Sequence, residues 1–333
     1  MAIETRLTER FGIEYPIVSA PMAFAAGGKL AAAVTSAGGL GLIGGGYGDA
    51  DWLKQQLAKA GNARVGCGFI SWSLARQPEL LELVLSHSPA AVMLSFGSPE
   101  PFATQIKQTG TPVICQVQTM EHARAAIDAG ADILVAQGAE AGGHGLLRAT
   151  FTLVPEVADM LAERSPNTLL LAAGGIADGR GLAASLLLGA DGVLIGSRFW
   201  GSAEALVHTA FQDAAVAANG DSTIRTTVPD KLRDIEWPEG FTARVMRNWI
   251  IEDWHGRESQ LIDDSIVSRE RTRYVAAMQN GDADNTGVWV GEAAGLMHDI
   301  PGAGALVRRI ADEAEYLLST KAPGLAKAAA KKR

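Results

Sequence analysis

Through the first part of the chain, short runs of Ile, Val, Leu and Ala alternate with longer stretches whose apolar residues return at helical spacing. Residues 15–20, 40–43, 64–69, 91–95, 112–116, 133–136, 168–172 and 192–195 are expected as strands. Each is almost continuously apolar, the pattern of a parallel sheet covered on both faces. Residues 30–35, 51–60, 78–86, 101–108, 119–129, 153–163 and 181–188 are expected as helices, with Thr119 as an N-cap and Gly38 and Gly39 ending the first of them. One junction is used twice. Ala129-Gly130-Ala131-Asp132 leads into the sixth strand and Leu188-Gly189-Ala190-Asp191 into the eighth, each a C-capping glycine followed at once by a strand. Eight strand–helix units predict a closed (β/α)8 barrel, the TIM-barrel class. A doubly wound open sheet is the alternative, because periodicity does not show closure.

Beyond Ser197 the alternation stops. Residues 203–218 read as helix, 242–254 and 259–278 as longer, more charged amphipathic helices, and 303–318 as a final helix. The chain is therefore expected to hold a barrel over 1–218, a helical substrate-side subdomain over 219–285, a return loop and C-terminal helix over 286–320, and a basic, frayed tail over 321–333. Trp237, Trp249, Trp254 and Trp289 fall beyond the barrel and are expected as interdomain core rather than cofactor stackers.

Composition narrows the class. Of 333 residues, 47% are hydrophobic, 20% are charged and 38 are Gly, which suits a compact α/β protein with many tight junctions. The formal net charge of −8 leaves no footprint for nucleic acid, since the basic cluster at 327–333 stands alone. The first residues carry acids among their charges and no apolar signal core, and no charge-free run reaches the roughly 18 residues of a membrane helix. A soluble, cytoplasmic protein without a membrane partner is expected, of open oligomeric state. Cys67 and Cys115 lie far apart in apolar runs and read as buried thiols. His87, His122, His208, His255 and His298 have no metal-ligand spacing.

In such a barrel the active site lies at the strand ends, and phosphate sits on the loops after the seventh and eighth strands. Those loops are Ala173-Gly174-Gly175-Ile176 and Gly196-Ser197, where freed backbone N–H groups can cradle a dianion. After the sixth strand, Gly138, Gly142, Gly143 and Gly145 surround a single histidine, His144. Glycines let a backbone approach a flat ligand, and histidine takes a proton near neutral pH. Ala20, Pro21, Met22, Gly68, Phe69, Ser95, Phe96, Gln116 and Gln137 stand at other strand ends around the same mouth. These mostly small or apolar groups suit a planar cofactor gripped by backbone. No thiol nucleophile, Schiff-base lysine or carboxylate pair falls there. The segment from Gly39 to Gly44 fits a GxGxxG spacing, but it precedes and enters a strand where a dinucleotide fingerprint must follow one, so it is expected to be structural.

The motifs APM (20–22), AEAGGHG (139–145), AAGGIADG (172–179), LGAD with IGSRF (188–199) and GVW (287–289) together resemble the nitronate monooxygenase family, formerly the 2-nitropropane dioxygenases, along essentially the whole chain. The resemblance implies a barrel holding FMN non-covalently, with His144 as catalytic base. It implies Gly142 and Gly143 near the flavin, Ala173, Gly174, Gly175, Gly196 and Ser197 at its phosphate, and Ala20, Pro21, Met22, Gly68, Gln116 and Gln137 along the isoalloxazine. The implied reaction oxidises an alkyl nitronate or nitroalkane with dioxygen to a carbonyl compound and nitrite. Some family members carry lysine where Gln116 stands. NADH:quinone reductases and FMN-dependent enoyl-ACP reductases share the phosphate loops, so an NAD(P)H-dependent FMN oxidoreductase is the alternative. A non-enzymatic phosphate-ligand binder is a remoter one.

Overall fold

Nine strands span the first part of the chain in the computed structural model, which describes residues 3–261 and 263–324. They are β1 (Ile17–Ser19), β2 (Leu42–Gly44), β3 (Gly66–Ile70), β4 (Val92–Ser95), β5 (Val113–Val117), β6 (Ile133–Gln137), β7 (Gly143–Gly145), β8 (Leu169–Ala173) and β9 (Gly192–Ile195). All but β7 form one parallel sheet in the order β1-β9-β8-β6-β5-β4-β3-β2. A parallel bridge between Val18 and Leu40 joins its two edges: the Leu40 N–H donates to Ile17 O at 2.9 Å and the Ser19 N–H to Leu40 O at 3.0 Å. The eight expected strands thus close into a (β/α)8 barrel rather than lying as an open sheet.

Period-two alternation sorts these apolar strands into two cores. Val18, Leu42, Met93, Ile114, Ile133, Val135, Leu169, Leu171 and Leu194 pack inside the barrel. Ile17, Ile43, Cys67, Val92, Leu94, Val113, Leu134, Leu170 and Val193 point outward under the helices. Fully burying each large aliphatic side chain contributes about 1.5–3 kcal/mol. The lower end is plugged by Leu7 and Phe11 from the helix Arg6–Phe11. A capping box between Thr5 and Thr8 starts that helix, which was not expected from the charged N-terminal lead. Burial in the outer layer pushes the Cys67 and Cys115 thiols up to about 12, so both are inert packing groups.

The same alternation sets the mouth. Ala20, Gly68, Ser95, Gln116, Gln137, Ala173 and Gly196 each lie two residues, or an even number, beyond an inward-facing position of their strand. Seven strand ends therefore aim inward at one level. The glycines of the GxGxxG segment are occupied by packing: a Cβ on Gly41 would stand 1.9 Å from Ala31 O, and one on Gly44 2.4 Å from Met22 O.

Residues 219–285, expected as helical, also carry two strands. β10 (Thr223–Thr226) pairs antiparallel with β11 (Thr242–Met246), and β11 pairs with β7, making a small sheet that straddles barrel and subdomain. The expected helix at 242–254 is this strand followed by the helix Trp249–Trp254, separated by Asn248, whose side chain caps Ile251 N at 3.1 Å. The expected helix at 259–278 is a 3-10 turn, Glu258–Gln260, and a helix, Asp264–Asn280; that at 203–218 is confined to Thr209–Ala217. The last helix runs Ala303–Tyr316 and continues as a wider turn, Leu317–Lys321. Of the expected frayed tail, 325–333 lies outside the described residues. Among the described residues no helix is long and apolar enough to cross a membrane.

The tryptophans separate by position. Trp254 packs with Ile250 and Ile251 in the subdomain core. Trp249, the first residue of that helix, faces away from the buried stripe and is 68% exposed, contrary to the expectation of core. Trp289 packs against the subdomain core as well, and Trp237 reaches the barrel mouth beside Phe96.

Candidate active site

The loops after β8 and β9 meet the geometric needs of an anion cradle. Gly174 and Gly175 have φ of +102° and +74°, the left-handed region that disfavours side chains. A Cβ on Gly174 would also stand 2.9 Å from Thr150 Oγ1 and 3.0 Å from Gly138 O, so only glycine fits there. Among the described residues, the N–H groups of Gly175, Ile176, Gly196 and Ser197 donate no hydrogen bond. These loops follow neighbouring strands, and free backbone amides at such loops can bind phosphate. A cavity of about 300 Å³ reaches the Gly174–Gly175 loop from the surface, bordered by Glu140, Thr150, Ser185 and Glu292. Both Glu140 carboxylate oxygens accept from Thr150 N at 3.0 Å, and one from Thr150 Oγ1 at 2.8 Å, capping the helix Thr150–Arg164.

Across the floor, Gly196 lies 3.6 Å from Ala20 Cβ and 3.8 Å from Met22 Sδ by its own hypothetical Cβ, which brings β1 and β9 ends together. Gly68 is held by Pro21, whose Cγ would stand 2.2 Å from an added Cβ. Gly142 does not face open space: a Cβ there would meet Gly291 N at 2.6 Å and Ser197 Oγ at 3.0 Å. Ser197 Oγ accepts from Gly291 N at 2.9 Å, so this hydroxyl ties the return loop to the barrel. Gly143 has nothing within 4 Å of a Cβ.

The inward glutamines are linked. Gln116 Nε2 donates to Gln137 Oε1 at 2.8 Å, Gln118 Nε2 donates to the same oxygen at 2.9 Å, and Gln137 Nε2 donates to the His144 carbonyl at 3.1 Å. Gln118 was not anticipated. Its own amide oxygen lies 3.2 Å from His122 Nδ1, extending the network outward. This lattice fixes the backbone that carries His144.

His144 sits in the middle of β7, paired with Ala243 of β11, and is buried. Its Nε2 lies 3.0 and 2.9 Å from the two carboxylate oxygens of Asp230, itself buried, on the helix Val228–Arg233. Sequence reasoning missed this partner: 86 residues separate the two, and Asp230 belongs to no motif. A carboxylate accepts only, so Nε2 carries the proton and Nδ1 keeps its lone pair. Nδ1 has no hydrogen bond among the described residues. Burial outweighs the pull of Asp230, and Arg233 and Arg225 push the same way as burial, so His144 is held below the ordinary histidine range.

Aromatic rings roof the imidazole. Trp237 stacks on it with centroids 3.4 Å apart and planes 9° apart. Trp289 lies at 5.5 Å and Phe96 at 6.4 Å. Phe24, Tyr47, Trp72 and Phe241 continue the cluster over the ends of β1 to β4. Trp237 and Trp289 thus border the candidate site; Trp289 also packs against the subdomain core, as expected, whereas Trp237 is not part of that core. Large rings in a linker look alike in sequence whichever wall they cover.

A closed (β/α)8 barrel with a histidine–carboxylate pair at its mouth is an enzyme scaffold, and the comparisons with known proteins make the enzyme an oxidoreductase. The chain belongs to the nitronate monooxygenase family, whose model matches residues 4–65 and 72–313. It is 35% identical to nitronate monooxygenase npaC of Metarhizium robertsii, over 91% of this chain and 92% of that one. It is 29% identical, over 96% and 98%, to (3aS,4S,5R,7aS)-5-hydroxy-7a-methyl-1-oxo-octahydro-1H-indene-4-carboxyl-CoA dehydrogenase of Mycobacterium tuberculosis. The structure of FabK from Thermotoga maritima superposes with a TM-score of 0.82 at 32% identity, over 97% and 99% of the two chains. Members of the family are flavoenzymes.

Proposed function

We propose that the protein is an FMN-dependent oxidase of alkyl nitronates and nitroalkanes in which the His144–Asp230 pair is the base. The observation that carries this reading is the pair itself, buried at the mouth of the barrel whose β8 and β9 loops carry free amides. The free N–H groups of Gly175, Ile176, Gly196 and Ser197 fit the phosphate of FMN, and the inward Ala20, Gly68 and Ala173 leave a low floor for its ring. Held there, FMN would supply the electron acceptor for the substrate, with dioxygen as final oxidant and carbonyl compound and nitrite as products.

The chain's own residues act on the proton. The bare Nδ1 of His144 takes the α-proton of a neutral nitroalkane, leaving the nitronate anion. The imidazolium so formed is stabilised by the Asp230 carboxylate on Nε2, with Trp237 over the ring face excluding water. A nitronate that arrives already ionised bypasses this step.

The second reading is an NAD(P)H-dependent FMN oxidoreductase acting on a thioester or quinone, favoured by the relative whose name makes it the dehydrogenase of an indene-carboxyl-CoA thioester. Anaerobic mixing decides. Propyl nitronate should bleach the flavin rapidly while NADH does not; the reverse pattern overturns the leading reading. Gly174→Ala should weaken FMN binding by about tenfold or more, since left-handed strain alone costs about 1–3 kcal/mol. Flavin released on dialysis measures it, and full retention would remove that loop from the phosphate site.

A further inference from the structure

Arg233 is the last residue of the helix Val228–Arg233, one turn after Asp230, so both side chains issue from the same helix face. Asp230 is engaged by His144. The Arg233 guanidinium lies over the ring of Tyr47 at 5.1 Å and over that of Trp289 at 5.2 Å. Trp289 is in turn 5.5 Å from the His144 ring, so one indole ring touches both the cation and the base. Among the described residues no carboxylate lies within ion-pair distance of Arg233, whereas Arg198, Arg244 and Arg309 all have one.

A cation set next to a buried base opposes the imidazolium that the base must form. Its placement is favourable once a negative charge stands between them. The guanidinium fork matches two oxygens of one planar anion, which a lysine cannot do. The aromatic walls exclude water and strengthen such a contact.

We propose that Arg233 is the substrate-recognition residue of this site, binding the paired oxygens of a planar oxyanion, so that the pocket selects anionic over neutral substrates. The nitro oxygens of a nitronate and the carboxylate of a substrate tail share this chemistry. The identity of the substrate rests on the proposed function; the anion site does not.

The test uses flavin-loaded protein and the variants Arg233→Met and Arg233→Lys, each first checked for a wild-type melting profile. Steady-state rates are measured with propyl 1-nitronate and with neutral 1-nitropropane, and inhibition with nitrate and with butyrate. Arg233→Met should raise the nitronate KM and the nitrate inhibition constant by about tenfold or more, the scale of one lost charged hydrogen bond. The KM for 1-nitropropane, which enters uncharged, should move far less, its kcat falling instead because the nitronate anion forms beside Arg233, and Arg233→Lys should recover part of the loss. Weaker nitrate inhibition assigns the fork to the nitro oxygens; weaker butyrate inhibition alone assigns it to a carboxylate tail. A rise in the 1-nitropropane KM as large as that in the nitronate KM would overturn the proposal, leaving Arg233 a strut between its helix and the return loop. If wild-type protein turns over neither nitro compound, the proposed function fails but the anion site is still decided. Nitrate titration then follows the fluorescence of Trp237 and Trp289. Saturable quenching lost in Arg233→Met supports the site, and no saturable response in wild type overturns it.

Discussion

With asparagine in place of His144, flavin should stay bound and oxidation of a neutral nitroalkane should slow by about 10²–10⁴-fold, the range ascribed to a positioned general base. A preformed nitronate, which has no α-proton to lose in forming the anion, should be slowed far less. That contrast separates loss of a base from loss of a site. Wild-type rates on the neutral substrate would remove His144 from the reaction. The pH profile gives a second reading. The base works unprotonated, so activity on the neutral substrate falls as pH drops through the His144 value. Burial holds that value below the ordinary 6.5, so the plateau should extend to more acidic pH than a free histidine would allow.

Asp230→Asn should be nearly as severe, costing about 10²-fold or more in kcat on neutral nitroalkane while leaving the KM for a nitronate nearly unchanged. Asparagine presents an N–H₂ to Nε2 as readily as an oxygen, so the imidazole is no longer confined to the tautomer with a bare Nδ1. The charge is lost as well. Asp230 raises the His144 value against the larger effect of burial, so its removal lets that value fall further. The acid limb of the profile should therefore move to lower pH as the plateau drops. A plateau that drops with no movement of the limb would mean a distorted pocket rather than a lost partner. Asp230→Glu, which keeps the charge, should restore the limb.

The barrel was legible because each strand had one job, to be apolar on both faces, and because a repeated glycine junction marked two of the entries. The cradle was legible because glycine at Gly174 and Gly175 is demanded by backbone geometry, which sequence displays directly. The small sheet was hidden. β7 is only Gly143-His144-Gly145, too short and too glycine-rich to alternate, and β11 runs almost directly into the helix Trp249–Trp254, so the two merge into one amphipathic stretch. Asp230 was hidden for a related reason. Its partner is fixed by the pairing of His144 with Ala243, a register that only the folded chain sets. Trp237 was misplaced because aromatic content marks a covered surface without saying what is covered, whereas Trp289 does pack on the subdomain core.

The helix Val228–Arg233 is six residues long and carries both Asp230 and Arg233. One determines which nitrogen of His144 is free, and the other stands where it can set the charge of what enters. On the proposed roles, reactivity and selectivity sit together on a single short helix outside the barrel. A graft or recombination event confined to that turn and a half would alter both at once, while every barrel strand and the cradle stayed as they were.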